Sequence, residues 1–132
     1  MILIDANVPM FITGGDHPLK IDAGRTLQRL ISERQQLVTD AEVFQEILHR
    51  FSAVARPAAI QPTFDALRVV VDEVFPIEEE DVFQAKDLLS THPRLSARDA
   101  LHASVMRRRG IERIFTFDHG FDSLAGIQRI PA

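Results

Sequence analysis

The sequence predicts a three-layer α/β/α sandwich with a mainly parallel central sheet. Residues 2–4 and 114–117 are short, mainly apolar runs without polar alternation, a pattern typical of strands buried on both faces of a parallel sheet. Segments with helical apolar spacing separate the strand candidates, and this alternation favours helices packed on a sheet. Because the 132 residues contain no repeat or linker, we expect one domain over residues 1–132.

The first half of the chain predicts two strands and three helices. In order, we expect a strand over residues 2–4, a short helix over 8–13, a helix over 21–34, a strand over 37–38 and a helix that begins after Asp40. Thr39 and Glu42 have the spacing of a capping box at the start of the last helix. Apolar residues recur along that helix at steps of four and predict its buried face, formed by Val43, Ile47 and Phe51.

The second half continues the alternation. We expect a helix through residues 67–71, a strand over 74–77, helices over 78–90 and 96–109, and strands over 113–117 and 127–130. Four acidic residues at 78–81 favour a helix start through the helix dipole. Gly110 is expected to end the helix before it, and a short turn or helix near Phe121 separates the last two strands.

The composition is that of a globular protein and excludes several kinds of chemistry. Hydrophobic residues make up 45% of the chain and charged residues 26%, and the absence of cysteine excludes disulfides, thiolate catalysis and zinc–sulfur sites. No apolar run approaches the roughly 20 residues of a membrane span, and the N-terminus lacks the pattern of a signal peptide. We therefore expect a cytoplasmic protein with no membrane partner. The net charge of −4 argues mildly against nucleic acid, unless a bound cation reverses the local charge.

Four acidic residues occupy positions that suggest a shared cation site. Asp5 and Asp118 each follow an apolar strand candidate, and ligands of open parallel sheets gather at the carboxyl ends of the strands. Asp99 lies in the first turn of a helix, and Glu46 lies beside an apolar helix stripe. Clustered carboxylates need a cation or a proton, so these four residues predict a site for a hard divalent ion.

Each acid also has a local explanation. An acid after a strand is a common turn former or helix cap, and Ser96 and Asp99 fit a capping box. Glutamates at the edge of an apolar stripe are usually solvated. Glu42 also competes with Glu46 for a functional role, although its capping position accounts for it. His102 lies one turn after Asp99 and could orient it, but a partly buried histidine with satisfied hydrogen bonds is the commoner case.

The ligand set indicates phosphate chemistry. Mg²⁺ and Mn²⁺ prefer oxygen ligands, bind phosphate oxygens, activate water and stabilise an in-line displacement. Four carboxylates therefore predict phosphodiester hydrolysis better than glycoside or peptide hydrolysis. The glycine-rich phosphate-binding motifs are absent from the sequence, so nucleotide-loop chemistry is unsupported.

With the four acids placed, the chain resembles the PIN-domain ribonucleases, specifically the VapC-type toxins of bacterial toxin–antitoxin pairs. The resemblance covers nearly the whole chain and is carried by four motifs in order: Leu3-Ile4-Asp5-Ala6-Asn7, residues 42–48, residues 96–103 and residues 116–122. It implies a PIN-like fold and endonucleolytic cleavage of RNA with Mg²⁺, or Mn²⁺, as cofactor.

The resemblance also implies roles for individual residues. Asp5, Asp99 and Asp118 would bind the metal, and Glu46 would complete the catalytic set by positioning a metal-bound water or a second ion. Asn7 and Thr116 resemble the polar neighbours that orient such ligands.

The same resemblance implies partners, and one departure from it matters. It predicts a homodimer and a cognate antitoxin protein besides the RNA substrate, and Arg98 and residues 107–109 would contact RNA phosphates or acidic antitoxin groups. Many family members carry another acid at the position of Gly120, so one metal is a firmer expectation than two. Asp122 is a candidate substitute for that acid, but we expect it to start a helix instead. The same departure supports an alternative function, in which the chain is a catalytically silent PIN-like module that binds RNA or protein.

Overall fold

The computed structural model describes residues 1–131 and confirms the predicted sandwich. Its five strands are β1 Ile2–Ile4, β2 Leu37–Asp40, β3 Glu73–Phe75, β4 Arg113–Phe115 and β5 Gln128–Ile130. Its α-helices are α1 Asn7–Thr13, α2 Lys20–Ser32, α3 Ala41–Ala53, α4 Ile60–Val70, α5 Glu79–Thr91 and α6 Ala97–Arg109. Short 3₁₀ helices span Pro57–Ala59 and His119–Ser123.

The sheet is parallel throughout and places β1 at its centre. Its strand order is β3-β2-β1-β4-β5. Ile2 aligns with Leu37 of β2, and Ile4 aligns with Phe115 of β4. Because β1, β2 and β4 are neighbours that run in one direction, their carboxyl ends meet at one edge of the sheet.

Two apolar cores lie on opposite faces of the sheet. Leu3 belongs to the core formed with α5 and α6, whereas Ile2 and Ile4 belong to the core formed with α1 to α4. Each core contains residues with no exposed surface, such as Ile114 on one face and Phe115 on the other. Burial on both faces explains why the strands lack polar alternation.

The start of α3 differs from the predicted capping box. Asp40, not Thr39, caps this helix, because its Oδ1 accepts the amide of Val43 at 3.0 Å. The Thr39 hydroxyl instead donates to the carbonyl of Ile4 at 2.8 Å and ties β2 to β1. The predicted helix cap at Thr39-Asp40 is confirmed at Asp40, but the capping-box pairing of Thr39 with Glu42 was wrong, because the helix begins one residue after Asp40 and Thr39 lies within β2.

Several predicted boundaries also shift. Val71 follows α4 in an extended conformation instead of continuing the helix. Strand β4 ends at Phe115, two residues earlier than predicted, and β3 covers residues 73–75 instead of 74–77. Thr116 therefore lies directly after β4, at the carboxyl edge of the sheet.

Helix α6 begins and ends as predicted. Ser96 caps it by accepting the amide of Asp99 at 3.1 Å, and Gly110 ends it at φ +69°, a left-handed conformation that favours glycine. Within residues 1–131, the return bond from the Asp99 carboxylate to the Ser96 amide, expected for a capping box, is not formed. The Asp99 carboxylate is thus available to the edge of the sheet.

Two of the three arginines at the end of α6 have partners inside the protein. Arg108 donates two hydrogen bonds to the buried Asp81 of α5, at 2.7 and 2.8 Å. The Arg109 guanidinium lies 4.6 Å above the centre of the Phe75 ring. Arg107 remains exposed, so it is the member of the run that is available to a partner.

In the described part of the chain, every helix is too short or too polar to cross a bilayer.

Candidate metal centre

Asp5 lies at the centre of the candidate site. It follows β1 and is only 3% exposed. Its Oδ1 accepts the amide of Ala6 at 2.7 Å, and its Oδ2 accepts the Thr116 hydroxyl at 2.7 Å. Burial raises the pKa of the Asp5 carboxyl, as does Glu46, whereas His102 and the Thr116 hydroxyl oppose the increase. A buried carboxylate of this kind needs a compensating positive charge.

Thr116 connects the loops that follow β1 and β4. Its Oγ1 donates to Asp5 and accepts hydrogen bonds from the Asn7 side-chain amide at 3.0 Å and from the backbone amide of Asp118 at 3.1 Å. Asn7 accepts in turn from the amide of Phe117 at 3.4 Å. Asn7 and Thr116 therefore fix the orientation of the Asp5 carboxylate and the path of the chain into Asp118.

Glu46 reaches the same site from α3. Its Oε2 is 3.8 Å from His102 Nε2, which is 3.7 Å from Asp5 Oδ1. One oxygen or nitrogen from each of these three residues lies within 4.8 Å of the others. Arg98 borders this group, with its guanidinium 3.8 Å from Glu46 Oε1. Glu42, one helical turn earlier, is not part of this group of described residues.

His102 has a partner that sequence reasoning missed. Its ring is fully buried, and Nδ1 is 2.7 Å from Oδ2 of the equally buried Asp40. Of the two interpretations of His102, the structure is nearer to the buried histidine than to a residue that orients Asp99, because the ring is fully buried and its Nδ1 bonds to Asp40 at the end of β2. Burial lowers the pKa of the imidazole, but Asp40, Glu46 and Asp5 raise it well above its ordinary value. The sequence signal for this partner was the position of Asp40 at the end of a strand, where Asp5 also lies directly after one.

Asp99 and Asp118 form the other half of the site. Burial of Asp99, hydrogen bonding to Asp118 and the nearby Asp5 raise the pKa of Asp99 to about 8. Asp118 is exposed, and its Oδ1 accepts the amide of Gly120 at 2.8 Å. Two carboxyl groups this close share a proton unless a cation lies between them. The structure thus brings Asp5, Glu46, Asp99 and Asp118 to one edge of the sheet.

Gly120 lies directly against this acidic pair. A Cβ at this position would be 3.1 Å from Asp118 Oδ1 and 3.5 Å from Asp99 Oδ2. Asp122, the candidate substitute, is inside the 3₁₀ helix and is bonded to Arg129 at 2.9 Å. The site therefore lacks a fifth acid at residue 120, and Asp122 already has another partner.

The residues fit a divalent cation. Within residues 1–131, Glu46 Oε2 and His102 Nε2 are buried without hydrogen-bond partners, and both face Asp5. Unpartnered buried polar atoms are rare, and they commonly indicate a missing ion or water. The acidic cluster therefore has the donor set and the unmet bonding capacity to bind a metal.

Comparison with known proteins defines the class of this protein. Residues 2–127 match the PIN domain. Ribonuclease VapC13 of Mycobacterium tuberculosis is 55% identical over 130 residues, which are 98% of this chain and 99% of the relative. The fold is also that of VapC20 of M. tuberculosis, described as a toxin that cleaves the Sarcin–Ricin loop; the TM-score is 0.76 at 22% identity, over 93% of this chain and 94% of VapC20. A toxin–antitoxin complex from Klebsiella pneumoniae shares the fold as well, with a TM-score of 0.69 at 17% identity over 97% of this chain and 96% of the matched chain. The chain belongs to the PIN-domain family and, within it, to the VapC ribonucleases.

The raised pKa of Asp99 predicts that metal stabilisation grows with pH. The folded-state pKa of about 8 lies above the ordinary 3.8, so the stability that protonated Asp99 contributes is complete below about pH 4 and is lost as the pH rises through 8. A cation replaces the proton and removes this penalty. We expect Mg²⁺ to raise the melting temperature more at pH 8 than at pH 5.5, measured by thermal unfolding against EDTA. An equal increase at both pH values would contradict the assignment, and Asp99→Asn should reduce the pH dependence, with Asp5 and His102 contributing the remainder.

Proposed function

We propose that this protein is a Mg²⁺-dependent endoribonuclease that acts as the toxin of a type II toxin–antitoxin pair. The observation that carries the proposal is the convergence of four carboxylates, Asp5, Glu46, Asp99 and Asp118, at the carboxyl edge of a PIN-type sheet. The 55% identity to a VapC ribonuclease over nearly the whole chain supports the activity. Phosphodiester hydrolysis is the reaction that such an oxygen-rich cation site serves best.

We assign the metal to Asp5, Asp99 and Asp118. Mg²⁺ suits this all-oxygen set best, and Mn²⁺ accepts the same ligands. When bound, such an ion polarises the scissile phosphate and lowers the pKa of a water molecule. The Asp99 and Asp118 carboxyl groups lie close enough for Asp118 to raise the pKa of Asp99, so a cation at this point would relieve their repulsion.

The other residues position these ligands and the substrate. The Thr116 hydroxyl holds the Asp5 carboxylate by donating to it, and the Asn7 side-chain amide fixes that hydroxyl by donating to Thr116. Glu46, which is 20% exposed, can accept a proton from an attacking water while its backbone stays fixed in α3. Arg98 lies at the rim, 3.8 Å from Glu46, and supplies a positive charge for an RNA phosphate. This arrangement gives each residue of the site a separate task.

We further propose a cognate antitoxin and a homodimeric state. The antitoxin is supported by the identity to VapC proteins and by the toxin–antitoxin complex that shares this fold. A net charge of −4 and an acidic site make a basic segment of a partner protein a suitable inhibitor, because it would neutralise the carboxylates. Arg107, which has an exposed side chain, is available for acidic groups of the same partner.

The proposed activity is tested by RNA cleavage with a purified, tag-free protein. We expect cleavage of labelled RNA with Mg²⁺ or Mn²⁺ and none in EDTA, and sequencing of RNA ends after expression will identify the cleaved sites. Addition of the protein encoded next to this gene should stop the reaction if that protein is the antitoxin. Absence of cleavage with either ion, together with normal growth on expression, would favour the catalytically silent module instead.

A further inference from the structure

We propose that Asp40, His102 and a bound cation form a carboxylate–histidine–metal triad in which His102 Nε2 is a direct ligand beside Asp5 and Glu46. The proposal rests on the proposed nuclease function and adds a nitrogen ligand to its oxygen set. It predicts that ions which bind imidazole well, such as Mn²⁺, Co²⁺ and Zn²⁺, gain affinity from His102, whereas Mg²⁺ is held mainly by the oxygen ligands.

The first observation is the bond between Asp40 and His102. The two side chains have no exposed surface, and 2.7 Å separates Oδ2 from Nδ1. Asp40 is itself held, because its other oxygen caps α3 through the amide of Val43. A carboxylate that accepts the Nδ1 proton fixes the ring orientation, and a cation that displaces the Nε2 proton would then bind the lone pair of that nitrogen, as in many metal centres.

The second observation is the surroundings of His102 Nε2. This atom is buried and has no hydrogen-bond partner among residues 1–131. Asp5 Oδ1 is 3.7 Å away and Glu46 Oε2 is 3.8 Å away, and both distances exceed the range of a hydrogen bond. Two atoms that each lie about 2.1 Å from one ion are roughly 3–4 Å apart. The separations therefore match shared coordination better than direct hydrogen bonding.

The third observation is the origin of the three ligand atoms. Asp5 follows the central strand β1, Glu46 lies on α3, and His102 lies on α6, so three separate elements converge on one point. Gly120 leaves the site without a further acid at that position. The imidazole would supply a ligand besides the carboxylates. Because nitrogen is a softer donor than a carboxylate oxygen, it changes which ions bind best.

The test measures the ligand directly by pulsed electron paramagnetic resonance of Mn²⁺ bound to the tag-free protein. We expect a nitrogen coupling typical of coordinated imidazole, and its disappearance in His102→Asn, whose amide keeps the bond to Asp40 but removes Nε2. His49→Asn, at an exposed histidine of α3, is the matched control and should retain the coupling. In His102→Asn, the Mn²⁺ affinity should fall about 10- to 100-fold, and the Mg²⁺ affinity should fall less.

The outcomes separate this inference from the proposed function. Mn²⁺ bound to the wild-type protein without nitrogen coupling would overturn the triad, even if the protein cleaves RNA. This result does not depend on whether His102→Asn folds. Asp40→Asn is a second variant that retains a good helix cap, and it should weaken Mn²⁺ binding about tenfold by disturbing the ring. Unchanged Mn²⁺ affinity in both folded variants would also overturn the triad.

Discussion

Replacement of Asp5 or Asp99 by asparagine is expected to reduce RNA cleavage about 10³-fold or more. A catalytic metal contributes several kcal/mol of charge stabilisation to the transition state, and each ~1.4 kcal/mol corresponds to a tenfold change in rate. Both substitutions keep the size of the side chain but remove a charge that the ion requires. The measurement is the single-turnover rate on a labelled RNA at saturating Mg²⁺.

The stability of the same variants distinguishes a catalytic loss from a folding defect. Asp99→Asn removes a carboxyl whose pKa of about 8 reflects burial and like charges. The metal-free variant should therefore be more stable than the wild type at pH 8 while being inactive. Asp22→Asn, at an exposed position of α2, is the control and should keep normal cleavage. Full activity in both Asp5→Asn and Asp99→Asn would refute the metal site.

Replacement of Thr116 by valine is expected to reduce Mg²⁺ affinity and cleavage about 10- to 100-fold. Polar groups that orient metal ligands have effects of this size. Valine matches the shape of threonine but removes the hydroxyl that serves Asp5, Asn7 and the amide of Asp118. Since each buried group left unsatisfied costs about 1–3 kcal/mol, the melting temperature should also fall.

Thr116→Ser provides the matched control for the valine variant. Serine retains the hydroxyl and loses only a methyl group, so metal affinity should stay within a fewfold of the wild type. Titration calorimetry measures the Mg²⁺ affinity, and thermal unfolding in EDTA measures the melting temperature of the metal-free protein. If the valine and serine variants bind Mg²⁺ equally well, the hydroxyl has no part in orienting Asp5.

The edge of the sheet at which Asp5 and Asp118 lie was predictable because it depends on strand direction. Both residues follow buried strands, and parallel strands end at the same edge of a sheet. The adjacency of β1 and β4 then brings Thr116 to Asp5, as the strand register shows. Apolar patterning gives the strand ends, whereas the pairing of β1 with β4 is a long-range contact that only the structure shows.

The bond between Asp40 and His102 was not predictable in the same way. These residues are 62 positions apart, and their contact depends on how α6 packs over the end of β2. Local spacing instead indicated Asp99, which lies one turn before His102 on the same helix. Local spacing similarly favoured Thr39 as the cap of α3, although the carbonyl of Ile4 is its actual partner. In both cases a tertiary contact replaced a local one.

The central position of β1 has a consequence for the time at which this nuclease becomes active. A ribosome releases the chain from residue 1 onward, so Asp5, Glu46 and Asp99 emerge well before β4 and Asp118. A growing chain consequently has neither the neighbouring strand nor the final carboxylate of its site. Under the proposed assignment of Asp118 to the metal site, RNA hydrolysis begins only after translation has passed residue 118. The messenger RNA and the ribosome that produce this protein are thus protected from it during most of its synthesis.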